Sequence, residues 1–233
     1  MKTTIKYWGI VPAAGVGKRM QADRPKQYLP LNGVTVIEQS LTRLLQVQQF
    51  TAVVVAISQE DAYWPELAVS KNARIRTAAG GKERADSVLS ALYSIADNAT
   101  DDDWVLVHDA ARPCITQSDV EHLIDELQNH EVGGILGQAS HDTLKSVDDE
   151  RAITDTVDRS KIWRAFTPQM FRYGALKTAL EEAAEKGWVV TDDASALELQ
   201  GKQPKMIAGR ADNLKITRPE DLALAQFYLE QQQ

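Results

Sequence analysis

Between residues 12 and 26 the chain gathers the side chains and backbone freedom that a polyphosphate requires. Gly15 and Gly17 let the backbone approach a ligand closely and adopt positive φ, and the N–H groups of such a turn can cradle phosphate oxygens. Lys18, Arg19, Arg24 and Lys26 follow, opposed only by Asp23. The chain as a whole has the opposite sign: 26 Lys and Arg against 33 Asp and Glu give a formal net charge of −7. An acidic protein gains nothing from non-specific attraction to nucleic acid, so this local reversal of sign points to a small polyanion. Two familiar phosphate loops do not fit. A Walker A loop places Gly where Pro12 stands and Ser or Thr where Arg19 stands, and a dinucleotide fingerprint needs a third Gly where Met20 stands.

The elements that must position this turn follow from hydrophobic patterning. Residues 5–11 read as a first buried strand that ends at the Gly-rich turn, and residues 52–57 and 104–107 are continuous apolar runs of strand length. Residues 74–79 make a weaker strand that closes on Gly80-Gly81, and 104–107 ends in His108-Asp109. Helical spacing falls at 35–47, 82–96 and 119–127. Fully apolar strands alternating with helices imply an α/β fold, a Rossmann-like, mainly parallel sheet flanked by helices on both faces. In such sheets ligands bind beyond the carboxyl ends of the strands, where three turns rich in functional groups lie: after Val11, Ala79 and Val107. After Gly133 the rhythm breaks. Residues 133–140 read as a strand, and 142–147 and 152–157 as two short strands around the charged link Asp148-Asp149-Glu150-Arg151. They predict a projecting β-arm at about 138–160 within a single domain spanning 1–233. Helices return at 173–185 and 219–229. Trp104, Trp163 and Phe166 are expected to pack in the core, as is Cys114, and Tyr63-Trp64-Pro65 suggests no role. The lone Cys114 excludes an internal disulfide and suits a reducing compartment. No stretch is apolar enough to span a bilayer, and the first residues lack a signal-peptide core. The expectation is a cytoplasmic protein with no nucleic-acid or membrane partner.

Taken in order, the motifs resemble a known family. Ala13-Ala14-Gly15-x-Gly17-x-Arg19-Met20 followed by Pro25-Lys26-Gln27-Tyr28 is similar to the signature of sugar-phosphate nucleotidyltransferases. Further blocks narrow the resemblance to the 2-C-methyl-D-erythritol 4-phosphate cytidylyltransferases of non-mevalonate isoprenoid biosynthesis: Gly80-Gly81-x-x-Arg84-x-x-Ser87-Val88, His108-Asp109-Ala110-Ala111-Arg112-Pro113, Asp158-Arg159, Thr167-Pro168-Gln169 and Arg210-Ala211-Asp212-Asn213-Leu214-Lys215. Each block alone is weak, whereas the ordered set covers almost the whole chain.

The resemblance implies transfer of CMP from CTP to a small sugar-alcohol phosphate, with Mg²⁺ as cofactor. The attacking phosphomonoester, with its second pKa near ~6, is already mostly a dianion, so no general base is needed and catalysis rests on positioning and charge neutralisation. The resemblance assigns catalysis to Arg19, Lys26, Arg159 and Lys215. It assigns CTP to Ala13, Ala14, Gly15, Gly17, Lys26, Gly80, Gly81, Ser87 and Asp109. It assigns the sugar phosphate to Asp109, Ala110, Arg112, Thr143, Arg159, Thr167 and Lys215. Asp109 is the expected metal ligand, a single carboxylate beside substrate phosphates suiting magnesium, and Asp212 could hold the metal or Lys215. A backbone acceptor near Ala13 or Ala14 would separate cytosine, a donor at N4, from uracil. His108 is expected to be buried without chemistry, and Lys82 to make no nucleotide contact. In the family the β-arm crosses to a second subunit, which implies a homodimer. A ribitol 5-phosphate cytidylyltransferase and an inert nucleotide-binding protein on the same fold remain alternatives.

Overall fold

A computed structural model describes residues 4–15, 17, 20 and 23–232. Seven strands form the central sheet: β1 (Tyr7–Pro12), β4 (Phe50–Ile57), β5 (Ile75–Ala79), β6 (Trp104–Val107), β7 (Gly133–Ala139), β10 (Trp163–Arg172) and β11 (Lys205–Ala208). Their order is β11-β7-β10-β6-β1-β4-β5. All neighbouring pairs are parallel except those of β10, which runs antiparallel to both β6 and β7. The mainly parallel sheet expected from the apolar runs is thus present. Six α-helices accompany it among the described residues: α1 (Val36–Gln46), α2 (Arg84–Ser94), α3 (Gln117–Leu127), α4 (Tyr173–Lys186), α5 (Asp193–Leu199) and α6 (Glu220–Gln231).

The period-2 geometry of strands sorts the core into two layers. Val53 and Val55 of β4, with Leu106 of β6, face α1 and α3 and pack on Ile37, Leu41, Leu123 and Leu127. Ala52, Val54 and Ala56, with Val105 and Val107, face the opposite side and pack on Val88 and Leu92 of α2 and Leu176 and Leu180 of α4. A third cluster seats α6 through Ala225 and Leu229 against Leu31, Val36, Cys114 and Ile216. Helix starts are defined locally. Thr35 and Thr116 form reciprocal capping boxes with Glu38 and Asp119, which hold the first turns of α1 and α3.

Patterning did not reveal β10, α5 and β11. β10 carries Arg164, Thr167, Pro168 and Gln169, and Pro rarely sits inside a central strand; here it falls in the register break between Ala165 and Gln169, where β10 pairs irregularly with β7. Helix α5 and strand β11 are only 7 and 4 residues long, too short to show a period. A small hairpin, β2 (Pro30–Leu31) and β3 (Val34–Thr35), leads into α1. A two-stranded ribbon pairs β8 (Lys145–Val147) with β9 (Ile153–Thr156), both strands shorter than expected. Its turn is held by Asp148 Oδ1, which accepts from the N–H groups of Glu150 and Ala152.

One core assignment needs correction, and one residue left without a role finds one. Trp104 and Phe166 are buried, but Trp163 is 39% exposed at the start of β10, beside the ribbon. Trp64, left without a role, enters the core, while Tyr63 stacks on Tyr28 at 5.1 Å and Tyr28 donates to Asp61 at 2.7 Å. The 61–64 turn therefore buttresses the Pro25–Tyr28 segment from behind. Cys114 is fully buried, and burial pushes its thiol up to about 12, consistent with a packing role.

Candidate active site

The carboxyl ends of β1, β5 and β6 open into a cavity of about 260 Å³ lined by Ala13, Ala14, Gly15, Lys26, Gly81 and Ser87, with Asp109 on its floor. The turn after β1 is shaped by Gln27, a buried side chain whose amide donates to Ala13 O at 2.6 Å and Gly15 O at 3.0 Å. With those two carbonyls held, the carbonyl of Ala14 accepts from no described residue. It is therefore open to accept from a ligand. Gly17 sits at φ +65°, and the Lys26 stem packs against it within 2.9 Å of where a Cβ would stand. Gly80 is needed for close approach, because a Cβ there would lie 2.1 Å from Ala14 Cβ, forcing the two loops apart. Ser87 commits its hydroxyl to this turn, accepting from Gly81 N–H at 3.0 Å and donating to Glu83 O at 3.2 Å. Lys26 Nζ donates to Ile216 O at 2.8 Å, which ties the first loop to the segment after β11.

A second cavity, of about 280 Å³, opens on the other side of Asp109, against Arg112, Phe166, Thr167 and Gln169. Three residues line both cavities: Arg84, Asp109 and Lys215. They form a partition whose centre is the Asp109 carboxylate. Oδ1 meets Arg84 Nε at 3.0 Å, and Oδ2 meets Lys215 Nζ at 2.8 Å and Arg112 Nε at 3.5 Å. Burial alone would raise the Asp109 pKa, but Arg84, Lys215 and Arg112 hold it well below the usual carboxylate range. The carboxylate stays charged under three cations, so the partition carries a surplus of positive charge.

The backbone beneath Asp109 is equally fixed. The Thr167 hydroxyl accepts from Asp109 N–H at 3.1 Å and lies 3.0 Å from His108 Nδ1, while His108 Nε2 lies 3.0 Å from Arg112 O. A carbonyl can only accept, so Nε2 carries the proton and Nδ1 accepts from Thr167. Burial pushes His108 down to about 4, so the ring is neutral at pH 7 and spent on structure, as expected of it. Asn213 donates to Thr167 O at 2.8 Å and its own carbonyl accepts from Arg112 Nη1 at 2.7 Å, which joins the 209–217 loop to β10.

The structure therefore brings together Ala13, Ala14, Gly15, Lys26, Gly81, Ser87, Asp109 and Lys215 around the first cavity and Arg112 and Thr167 around the second. Ala110, expected on the sugar-phosphate side, lines the first cavity. Lys82, expected to make no nucleotide contact, also lines it. Thr143 and Arg159 line neither cavity; both are exposed on the ribbon, where Arg159 donates to His141 O. Asp212 pairs with Arg210 and accepts from Gln232, while Lys215 pairs with Asp109 instead. Lys18 and Arg19 lie outside the described residues. Gln27, Asn213 and Asp193 escaped sequence reasoning as positioning groups, although the first two stand inside the quoted motifs.

A mainly parallel α/β sheet with a cavity at its carboxyl edge and a cationic partition behind it suits a nucleotidyltransferase, the class to which its relatives belong. The family model for 2-C-methyl-D-erythritol 4-phosphate cytidylyltransferase matches residues 8–231, and the chain belongs to that family. Among relatives bearing that name, the protein of Pseudomonas putida (strain GB-1) is 53% identical over 223 residues, covering 95% of each chain. That of Vibrio atlanticus is 53% identical over 222 residues, covering 95% of this chain and 94% of the relative. A crystal structure of a 4-diphosphocytidyl-2C-methyl-D-erythritol synthase superposes with a TM-score of 0.84 at 35% identity, covering 98% of this chain and 100% of the other. The Francisella tularensis cytidylyltransferase superposes with a TM-score of 0.83 at 36% identity, covering 96% and 99%.

Proposed function

We propose that this chain, as one nucleotidyltransferase domain, transfers CMP from CTP to 2-C-methyl-D-erythritol 4-phosphate, yielding 4-diphosphocytidyl-2-C-methyl-D-erythritol and pyrophosphate for isoprenoid precursor synthesis. The observation that carries this reading is the pair of cavities meeting at Asp109 and Lys215. CTP occupies the cavity under the Gly-rich turn, with its base against Ala14 O and the Gly80-Gly81 turn. The sugar phosphate occupies the cavity of Arg112 and Thr167. One of its phosphate oxygens forms the new bond to the α-phosphorus as the bond to the β-phosphate bridging oxygen breaks, and pyrophosphate leaves. The attacking oxygen is already ionised, so no proton has to be removed, and the neutral, buried His108 is not required as a base.

The protein's contribution is fixed positive charge at the place where two anions meet. Lys26, anchored on Ile216 O, and Arg19 neutralise the triphosphate and the departing pyrophosphate, and Lys215 orients the acceptor phosphate. Such preorganised donors are worth on the order of 100- to 1000-fold each in rate. The donor set fits a magnesium ion that arrives with the triphosphate. Among the described residues no group of three His, Cys, Asp or Glu side chains could hold a metal by itself, and Asp109 is the buried carboxylate of the partition, which agrees with magnesium's preference for few carboxylates plus phosphate oxygens. When bound, the ion would offset phosphate charge, with Asp109 as its protein ligand.

Thr143 and Arg159 complete the acceptor cavity from a second subunit in this reading. Their exposure on the ribbon beside Val147 and Ile153, 52% and 65% exposed, supports a homodimer formed through that arm. No described helix is long and apolar enough to cross a membrane, and we place the enzyme in the cytoplasm. The test is pyrophosphate release from CTP, with and without Mg²⁺, offering methylerythritol phosphate and ribitol 5-phosphate in parallel. Release that depends on methylerythritol phosphate and the metal is expected; release only with ribitol 5-phosphate, or with neither acceptor, contradicts the reading.

A further inference from the structure

The third member of the partition, Arg84, stands on a buried acidic residue that has no other task. Arg84 Nη2 donates to Asp193 Oδ2 at 2.8 Å while its Nε donates to Asp109 Oδ1 at 3.0 Å. The two carboxylates thus take adjacent nitrogens of one planar guanidinium, a two-point hold that Lys cannot copy. Nη1 is left over and donates to no described residue, and the side chain remains 27% exposed towards both cavities. Asp193 is 0% exposed. It does not cap helix α5, because Asp192 already does so by accepting from Ser195 N–H at 2.9 Å. Its second oxygen, Oδ1, is buried with no hydrogen-bond partner.

A half-satisfied buried carboxylate is costly, and an ion pair in such a place is often no more stabilising than an apolar pair of the same size. Stability therefore does not account for Asp193. Burial lifts the Asp193 pKa above its ordinary value, with Arg84 opposing, whereas the two carboxylates raise Arg84 and keep it charged. What the pair secures is geometry, because a long, mobile Arg side chain is immobilised between the two cavities before either anion arrives.

We propose that Arg84 is a catalytic residue, donating through Nη1 to the phosphate oxygens that meet across the partition, and that Asp193 is the positioning residue that holds it there. This rests on the assignment of CTP and the sugar phosphate to the two cavities. Arg84 acts on charge that grows during transfer and Asp193 acts only through Arg84, so the two variants differ in a defined way.

Steady-state kinetics of Arg84→Ala, Asp193→Asn and the double variant test this, with thermal melting to confirm folding. Arg84→Ala is expected to lower kcat about 100-fold with KM for CTP within about threefold, and Asp193→Asn to lower kcat about tenfold. The double variant should match Arg84→Ala within about twofold, since position 193 would then have no guanidinium left to hold. If removal of Arg84 leaves Asp193 unpaired and the protein unfolds, Arg84→Lys keeps the charge and should still lose about tenfold in kcat. Multiplying effects in the double variant would overturn the positioning role. Wild-type kcat in Arg84→Ala, beside a defective Lys215→Ala, would overturn the inference alone; wild-type kcat in both would overturn the cavity assignment as well.

Discussion

The partition and the ribbon both carry candidate site residues, yet they are built on opposite principles. At the partition, Arg84, Arg112 and Lys215 converge within 2.8–3.5 Å on one nearly buried carboxylate. Each is held by partners from distant parts of the chain, so water and side-chain entropy have little left to take back. On the ribbon, Thr143 and Arg159 lie in the open with β8 and β9 exposed on every residue. Cations in water are screened and mobile and contribute little by themselves. In the proposed reading, one chain prepares the nucleotide side of the site and leaves part of the acceptor side to a second subunit.

The sharpest way to break this comparison is Lys26→Ala. A loss of about 100- to 1000-fold in kcat/KM, with an unchanged melting temperature, is expected if the nucleotide side is complete within the chain. Near wild-type turnover would remove Lys26 from the mechanism. Next in size is a mixing experiment on the arm. Arg159→Ala alone should be almost inactive, as should Lys26→Ala. Subunit exchange between the two should restore about a quarter of wild-type activity, because half the dimers then own one intact composite site. No recovery after exchange, verified by native mass spectrometry, would return Arg159 to its own subunit or to no role.

A smaller effect concerns stability beneath the partition. An unfolded histidine titrates near ~6.5, whereas His108 in the fold is pushed down to about 4 by burial. Between those values the unfolded chain binds the extra proton, so stability is fully present above pH ~6.5 and declines as pH falls towards 4, by about 3 kcal/mol in all. Urea midpoints measured from pH 7.5 to 4.5 should show this slope and lose it in His108→Gln. Asp109 acts in a lower window. Its carboxylate is held down, so its contribution is present above the unfolded value near ~3.9 and is lost only as pH falls further. The smallest effect is expected at Ser87→Ala. Loss of the bond to Gly81 N–H should loosen the turn and raise KM for CTP by about three- to tenfold with kcat little changed.

Much of this organisation was legible in the residues. Parallel strands are buried on both faces, so 52–57 and 104–107 stand out as unbroken apolar runs, and the turns that follow them carry the polar chemistry. β10 was not legible because its centre contributes Thr167 and Gln169 to the site, and Pro168 sits where pairing breaks. The partition was legible only in part. Asp109, Arg112 and Lys215 stood out by type and place, but Asp193 lies 109 residues from Arg84, and no local pattern links them. Gln27 was hidden for the same reason: a neutral amide whose value lies in which two carbonyls it restrains has no signature of its own. Exposure misled in one direction, since Trp163 is an aromatic of the kind that fills cores but is 39% exposed at the start of β10.

The central claim is that the two substrates meet across the Asp109 partition. A crystal structure of the protein with a non-hydrolysable CTP analogue, magnesium and methylerythritol phosphate tests it directly. The account predicts the α-phosphate against the partition, Lys26 on the triphosphate, and the acceptor phosphate beside Lys215 and Arg112, within about 3.5 Å of the α-phosphorus. Both substrates bound with their phosphates on the same side of Asp109, or away from Lys26 and Lys215, would contradict it.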